Sequence, residues 1–142
     1  LEQVLHTGRD FVIIDFEGDR RVSIAERRRK RSALRDVAGM LRSFHFATLC
    51  VLLDQTAVRP GDRLAAEAWA TQWYHWVAAE FLRAYLERAE GSTFIPASRS
   101  ELGVLLKLML IEKAFQELRN ELDNGSNLVE VPLRGLVELL GV

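Results

Sequence analysis

The stretch Phe11-Val12-Ile13-Ile14-Asp15-Phe16-Glu17-Gly18 begins with four apolar residues and passes through a carboxylate to a glycine. A short apolar, β-branched run that is bounded by turn residues predicts a buried strand rather than a helix segment. The residues at 3–6 predict a partner strand, and those at 7–10 predict the turn between the two. Because antiparallel strands joined by a short turn bring their outer ends together, we expect Gln3 and Asp15 to lie near each other.

A carboxylate and a carboxamide at the end of a hairpin suit a hard divalent cation. Mg²⁺ takes oxygen ligands, keeps several waters and binds one or two protein carboxylates together with substrate phosphates. In kinase-type phosphoryl transfer, an aspartate followed by Phe and Gly holds the metal, and an amide holds the second site. This chain has Asp15-Phe16-Glu17-Gly18 instead, and an aspartate that only caps the next turn is the alternative.

The composition predicts one globular domain and excludes some classes of partner. The chain has 142 residues, of which 49% are hydrophobic and 27% charged, so it can bury a core. Its formal net charge of -1 gives no overall field that would attract nucleic acid or an anionic membrane. The single cysteine, Cys50, is expected to be a buried thiol. We expect that no apolar stretch reaches the length of a membrane span, and there is no signal-peptide pattern, which predicts a cytoplasmic protein.

Apolar residues recur at helical spacing after the hairpin and predict three long helices and a short one. The first is capped by Ser32 and reaches residue 53; the second runs from 63 to about 90. The third, capped by Ser98 or Ser100, runs from about 101 to 123, and the short one follows Gly135. The predicted fold class is therefore mainly α, with a small N-terminal β-hairpin.

Two polar or aromatic patterns on these helices have both a structural and a functional interpretation. Trp69, Trp73 and Trp76 form a stripe that is more often core packing than a platform for a ligand. On the third helix Glu112, Gln116 and Asn120 are four residues apart and share one face. That face is either simply solvated or suited to a hydroxyl-rich ligand.

A basic run, Glu26-Arg27-Arg28-Arg29-Lys30-Arg31, follows the hairpin. Such a run is most often a solvated face, and it is also typical of a localisation signal or a nucleic-acid patch. Its place directly after the predicted metal-binding loop adds a fourth interpretation, in which some guanidinium groups face phosphate oxygens or a docked segment.

Longer motifs carry a resemblance to one family. They are residues 11–18, residues 25–44 (Ala-Glu-Arg-Arg-Arg-Lys-Arg-Ser-Ala-Leu-Arg-Asp-Val-Ala-Gly-Met-Leu-Arg-Ser-Phe), Glu112-Lys113-Ala114 with Glu117-Leu118, and Val131-Pro132-Leu133-Arg134-Gly135-Leu136. In this order, and over nearly the whole chain, they closely resemble the maltokinase family. That family has a fold like the aminoglycoside phosphotransferases and protein kinases, and it is often fused behind a trehalose synthase.

The resemblance implies an ATP-dependent kinase that phosphorylates maltose at its anomeric hydroxyl, giving maltose 1-phosphate for α-glucan synthesis. It also implies that residues 1–142 are the distal part of the helical lobe of a longer protein. Members of the family carry a segment close to H-G-D-x-H-L-G-Q, whose last residues Leu1 and Gln3 match, with Glu2 where Gly is usual. The catalytic aspartate and the nucleotide-binding lobe would precede Leu1, so we expect these 142 residues alone to be inactive.

The same resemblance implies roles for individual residues. Asp15 would be the main Mg²⁺ ligand and Gln3 the second, both placing the triphosphate of ATP. Glu112 and Lys113 fall in the helix that resembles the family's sugar-binding wall. Gln116 and Asn120 stand there where tyrosines are common, and an amide offers a sugar only hydrogen bonds. The implied substrate is maltose or another glucoside.

Two hypotheses from other classes remain beside the kinase. The chain is a non-catalytic helical interaction module, or a degenerate kinase remnant, if the upstream catalytic segment is lost. Binding of nucleic acid through Arg27–Arg31 needs a wider basic surface than a nearly neutral chain offers, and we predict neither a nucleic-acid nor a membrane partner. A truncated lobe should expose an apolar face on the hairpin side, so we also expect self-association.

Overall fold

A small hairpin and a short helix form the first of two units in this computed structural model. The structure describes residues 1, 3–16, 23–54 and 56–141, so the predictions for Glu2 and for Glu17-Gly18 lie outside the described residues. The first unit covers residues 1–32. Its elements are strand β1 (Val4–His6), strand β2 (Phe11–Ile13) and helix α1 (Ile24–Arg27).

The second unit, residues 33–142, is helical. Its elements are α2 (Leu34–Leu53), a short 3₁₀ helix (Pro60–Asp62), α3 (Arg63–Arg88), α4 (Arg99–Asp123) and α5 (Glu130–Leu140). The predicted fold class is confirmed: a small N-terminal antiparallel hairpin is followed by three long helices and a short C-terminal one.

The hairpin has the predicted antiparallel pairing but not the predicted burial. Val4 pairs with Ile13 and His6 with Phe11, and the Thr7 N–H donates to the Asp10 carbonyl at 2.9 Å to close the turn. Phe11 is 67% exposed, so the prediction of a buried strand is wrong. A two-stranded sheet has no second layer of its own to cover it. The expected exposed apolar face is present, and self-association through it stays a prediction.

Helix α2 is the centre of the helical unit, because it packs against α3, α4 and α5. Leu34, Val37 and Leu41 are buried on its first half, and Leu49 and Leu52 on its second. The apolar residues of the other helices that pack against the first cluster are Ala78, Phe81, Leu82 and Tyr85 of α3 and Leu102, Leu105, Leu106, Met109 and Leu110 of α4. The second cluster adds Val131 of α5 to Leu49 and Leu52.

The length and composition of α2 correct one sequence expectation. Its 20 residues have a hydropathy of 1.3 and suffice, by length and composition alone, to cross a membrane. The expectation that no stretch is long enough was therefore wrong. The apolar face of α2 is covered by three other helices, which gives its hydropathy a packing explanation.

The tryptophan stripe of α3 does not belong to the core. Trp69 is 74% exposed and Trp76 is 67% exposed, whereas Trp73 contacts Phe44 edge-on with ring centroids 6.4 Å apart. The interpretation of the stripe as core packing was wrong, because α3 turns Phe81 and Tyr85 toward α2 instead. Helical spacing alone cannot say which of two apolar faces finds a partner.

The helix ends agree with the sequence in part. Ser98 caps α4, and its hydroxyl accepts a hydrogen bond from the Glu101 N–H. Ser32 is not the cap of α2, since the helix begins at Leu34 and Ala33 occupies the N-cap position. Helix α5 starts before Gly135, at Glu130.

A buried polar cluster joins three helices between the two apolar clusters. Arg42 of α2 is 2% exposed and donates to Glu117 Oε2 of α4 from Nε at 3.0 Å and from Nη2 at 2.8 Å. Its Nη1 lies 3.0 Å from Nδ1 of His45, and Nε2 of His45 lies 3.1 Å from Glu138 Oε2 of α5. An unpaired charge in this position would cost several kcal/mol, on the order of 3–5.

Gly135 of α5 makes room for this cluster. A Cβ atom at this position would lie 2.0 Å from Nη1 of Arg42. The arginine side chain is long, but it cannot move aside without leaving Glu117 and His45. Gly135, which lies inside the motif at residues 131–136, is therefore required by the packing around Arg42.

We predict that Gly135→Ala lowers the free energy of unfolding by about 2 kcal/mol or more, because the methyl group displaces a buried guanidinium. Chemical denaturation measures it. Gly103→Ala is the matched control, since Gly103 lies inside α4 with nothing within 4 Å of an added Cβ. That control should gain about 0.5–1 kcal/mol from helix propensity. Equal effects of the two substitutions would contradict the packing role of Gly135.

Candidate functional site

The two predicted metal ligands lie at the open end of the hairpin. The Ile14 N–H donates to the Gln3 carbonyl at 2.9 Å, which places Gln3 opposite Ile14 and Asp15 one residue beyond it. Gln3 and Asp15 are both exposed to solvent. The expectation that these two residues lie near each other is confirmed by the register of the strands.

Asp15 has a backbone conformation that most residues avoid. Its φ is 63°, and the described part of the chain has no other non-glycine residue with positive φ. This left-handed conformation costs an L-residue about 1–2 kcal/mol, and aspartate is among the few that visit it. Strain of this kind is concentrated at functional sites, where the surrounding structure holds it in place. The conformation therefore singles out Asp15 independently of the sequence motif.

The donor set at this end of the hairpin fits one kind of magnesium site. One carboxylate and one amide oxygen are too few for a cage made of protein alone, but Mg²⁺ commonly binds one or two protein groups together with substrate phosphates and waters. No group of three or more His, Cys, Asp or Glu side chains suited to a metal ion occurs among the described residues. A magnesium ion held jointly by Gln3, Asp15 and a nucleotide stays a prediction.

The polar face of α4 is partly organised by its own contacts. Gln116 Nε2 donates to Glu112 Oε1 at 3.1 Å, and the same oxygen lies 3.4 Å from Nη2 of Arg35 on α2. The predicted alignment of Glu112 with Gln116 is thus confirmed. Lys113 and Asn120 are half-buried on the same helix, and the structure brings neither into a described bond with Glu112.

These two residue sets belong to different units of the chain. Gln3 and Asp15 lie in residues 1–32, and Glu112, Lys113, Gln116 and Asn120 lie in residues 33–142. Each set is therefore built by the local geometry of its own unit, one by strand register and one by helical spacing.

The basic run after the hairpin is partly neutralised by its own glutamate. Glu26 in α1 binds Arg29 at 3.1 Å and also binds Arg31. The hydroxyl of Ser23 accepts from the Glu26 N–H and caps this short helix. The arginines are exposed to solvent, as expected for a solvated face.

A pocket around His45 was not expected from the sequence. The pocket has a volume of about 340 Å³ and lies between α2, α3 and α5. Tyr74 of α3 packs edge-on against His45, with ring centroids 5.1 Å apart. One signal was available in the sequence: His45 stands four residues after Leu41 and four before Leu49, on the apolar stripe of α2. A titratable group on such a stripe must find a buried partner.

The contacts of His45 define its protonation state. Arg42 can only donate, so Nδ1 of His45 accepts and carries no proton, and Nε2 donates its hydrogen to Glu138. Burial lowers the pKa of His45 below its usual 6.5, and the positive charge of Arg42 lowers it further, against an opposing effect of Glu138. His45 is therefore neutral in the folded protein at neutral pH.

We predict that His45 makes the protein less stable as the pH falls below about 6.5. The unfolded chain binds this proton more readily than the folded one, so the stabilisation is fully present above 6.5 and declines as the pH falls toward the lowered pKa. In His45→Gln, the free energy of unfolding should depend less steeply on pH between about pH 7.5 and pH 5. The difference in slope from the wild type should be at most about 1.4 kcal/mol per pH unit. His75→Gln should keep the slope, since His75 is exposed. An unchanged slope in His45→Gln would contradict this.

A second prediction separates two glutamates on α4. Glu112→Gln should change the free energy of unfolding by less than about 1 kcal/mol, because its ion pair with Arg35 is 41% and 33% exposed on the two side chains. Glu117→Gln should lower it by about 3–5 kcal/mol, because it leaves the buried Arg42 without its counter-charge. Denaturation curves of the two variants test this. A large loss in Glu112→Gln would make Glu112 a structural residue and remove it from the candidate site.

Comparison of the chain with models of known protein families finds none that matches. The functional interpretation of the chain depends, therefore, on its motifs and on the geometry of the two residue sets. The left-handed backbone of Asp15 is an observation on that residue that does not depend on the sequence motif.

Proposed function

We propose that this chain is part of the helical lobe of an ATP-dependent sugar kinase of the maltokinase type. The reaction transfers the γ-phosphoryl group of ATP to the anomeric hydroxyl of maltose or another glucoside. The observation that carries the proposal is the strained aspartate that follows β2, next to Gln3 on the neighbouring strand. The motifs of the sequence and the polar face of α4 support it.

Asp15 and Gln3 are the residues that would hold Mg²⁺. The metal, when bound, neutralises charge on the transferring phosphates and orients them for in-line attack. Asp15 contributes the negative charge of the site, and its backbone is left-handed. Gln3 contributes a neutral oxygen from the opposite strand, so the cation keeps a net positive charge toward the nucleotide.

The polar face of α4 is the proposed sugar-binding surface. Glu112 already holds Gln116 at 3.1 Å, and a carboxylate that is fixed in this way can still accept hydrogen bonds from sugar hydroxyls. Lys113 makes no hydrogen bond or ion pair with the described residues. Its ammonium group can donate to a hydroxyl, and Asn120 adds amide hydrogen-bonding groups one turn further along.

The remaining parts of the enzyme are proposed to come from a longer protein. The general base, an aspartate, and the nucleotide-binding lobe would precede Leu1, and a trehalose synthase could be fused or associated. A cytoplasmic location follows from the supply of ATP and Mg²⁺. Under this proposal residues 1–142 position the metal and the sugar, and the aspartate that accepts the hydroxyl proton belongs to the preceding segment.

We predict that Asp15→Asn lowers sugar-dependent ADP release by the parent-length protein about a hundredfold or more, the scale for losing a key electrostatic group. Asparagine also tolerates positive φ, so the substitution removes the charge and keeps the backbone. The assay contains ATP, Mg²⁺ and, in turn, maltose, glucose or trehalose. Asp10→Asn is the matched control in the same hairpin, because its side-chain oxygen can still accept from the Phe11 N–H.

Two outcomes would overturn the proposal. Full activity of Asp15→Asn would remove the metal role of this residue, and absence of sugar-dependent ADP release from a folded parent would favour a helical interaction module. The exposed apolar hairpin and Trp69 are the observations that favour that second candidate. Residues 1–142 alone should release no ADP in response to a sugar.

A further inference from the structure

The pocket around His45 is partly open to solvent and is lined by both apolar and polar side chains. Its volume of about 340 Å³ lies within the range of ligand pockets in proteins. Leu49, Leu52 and Ala70 give it an apolar wall. The polar side chains that line it are His45, Thr48, Thr71, Tyr74, His75 and Glu138. An apolar cavity with a few convergent polar groups is the usual architecture of a binding site.

The charges around this pocket leave one negative charge in excess. Arg42 and Glu117 neutralise each other in the interior. His45 is neutral, because it accepts from Arg42 and its pKa is lowered by burial. Glu138 is therefore the uncompensated charge, and its side chain is 61% exposed at the edge of the pocket.

Glu138 has capacity to bind a further group. His45 donates to Oε2 of this carboxylate, and no described residue donates to Oε1. That bond also fixes the position of the carboxylate at the mouth of the pocket. A cationic donor that approaches Oε1 would meet an oriented acceptor that costs little to arrange.

The aromatic lining complements the same kind of ligand. Tyr74 and His75 lie with ring centroids 5.4 Å apart, and Tyr74 also contacts His45. Burial raises the pKa of the Tyr74 hydroxyl, which stays protonated at neutral pH. The face of a tyrosine ring attracts an ammonium group, and the attraction grows when water is excluded.

We propose that this pocket binds a small organic ammonium ion with a compact apolar body. The ammonium group pairs with Glu138 Oε1, and the apolar body lies against Leu49, Leu52 and the Tyr74 ring. The site goes beyond the proposed kinase function. It shares no residue with Gln3 and Asp15 or with the polar face of α4, so the two proposals can fail separately.

Other classes of ligand fit this pocket less well. An anion would meet the charge of Glu138, while the guanidinium of Arg42 is 2% exposed and already bound to Glu117 and His45. A metal ion is not favoured, since the described residues form no cluster of three suitable ligands. A neutral apolar molecule could enter but would leave Oε1 of Glu138 without a described donor.

The test is a titration of the full chain with three probes of one shape: benzylammonium, benzyl alcohol and benzoate. Chemical shifts of backbone amides in α2, α3 and α5 report binding. We expect benzylammonium to bind about tenfold more tightly than benzyl alcohol, a difference of about 1.4 kcal/mol, and benzoate not to bind. Glu138→Gln should remove the preference, because glutamine can still accept from His45 but has no charge. Glu130→Gln, on the exposed side of the same helix, is the control and should keep it.

A second variant tests binding in the pocket without changing Glu138, so that a structural effect of Glu138→Gln can be recognised. Thr71→Trp changes an exposed position on the pocket wall, so it should fill the mouth and abolish binding without disturbing the core. Equal affinity for the three probes, no binding of benzylammonium, or unchanged binding in Thr71→Trp would each overturn the proposal. A folded Glu138→Gln that keeps the preference would overturn it as well.

Discussion

The buried guanidinium of Arg42 is the constraint on which the helical unit depends. It needs a counter-charge and finds it in Glu117, 75 residues away along the chain, which ties α2 to α4. It also needs space, which Gly135 of α5 provides. Replacing such an ion pair by apolar residues can be harmless, but removing one partner is costly. The position of α5 is thus fixed by a charge as well as by apolar contacts.

The same arginine determines the chemistry around it. Because its Nη1 donates to Nδ1 of His45, the imidazole is held neutral and presents its other hydrogen to Glu138. The result is a chain of polar contacts from the interior to the surface, with one negative charge at the outer end. A group that stabilises the packing therefore also sets the charge of the neighbouring pocket.

The hairpin is organised differently, by local backbone geometry. Strand register brings Gln3 opposite Ile14, and Asp15, one residue beyond, has a left-handed backbone. The sequence suffices to anticipate this proximity, because a short turn and antiparallel pairing leave little choice. The sequence does not reveal the exposure of Phe11, since burial of a strand depends on whether a second layer covers it.

Local patterns determined the elements of this protein: the hairpin, the helices, the Ser98 cap and the alignment of Glu112 with Gln116. These features arise between residues a few positions apart, where turn chemistry and helical spacing act. Only the tertiary structure decided which faces are buried, leaving Trp69 in solvent and joining His45 to a glutamate 93 residues later. Periodicity marks an apolar face, but the choice of its partner depends on the packing and charge of distant segments.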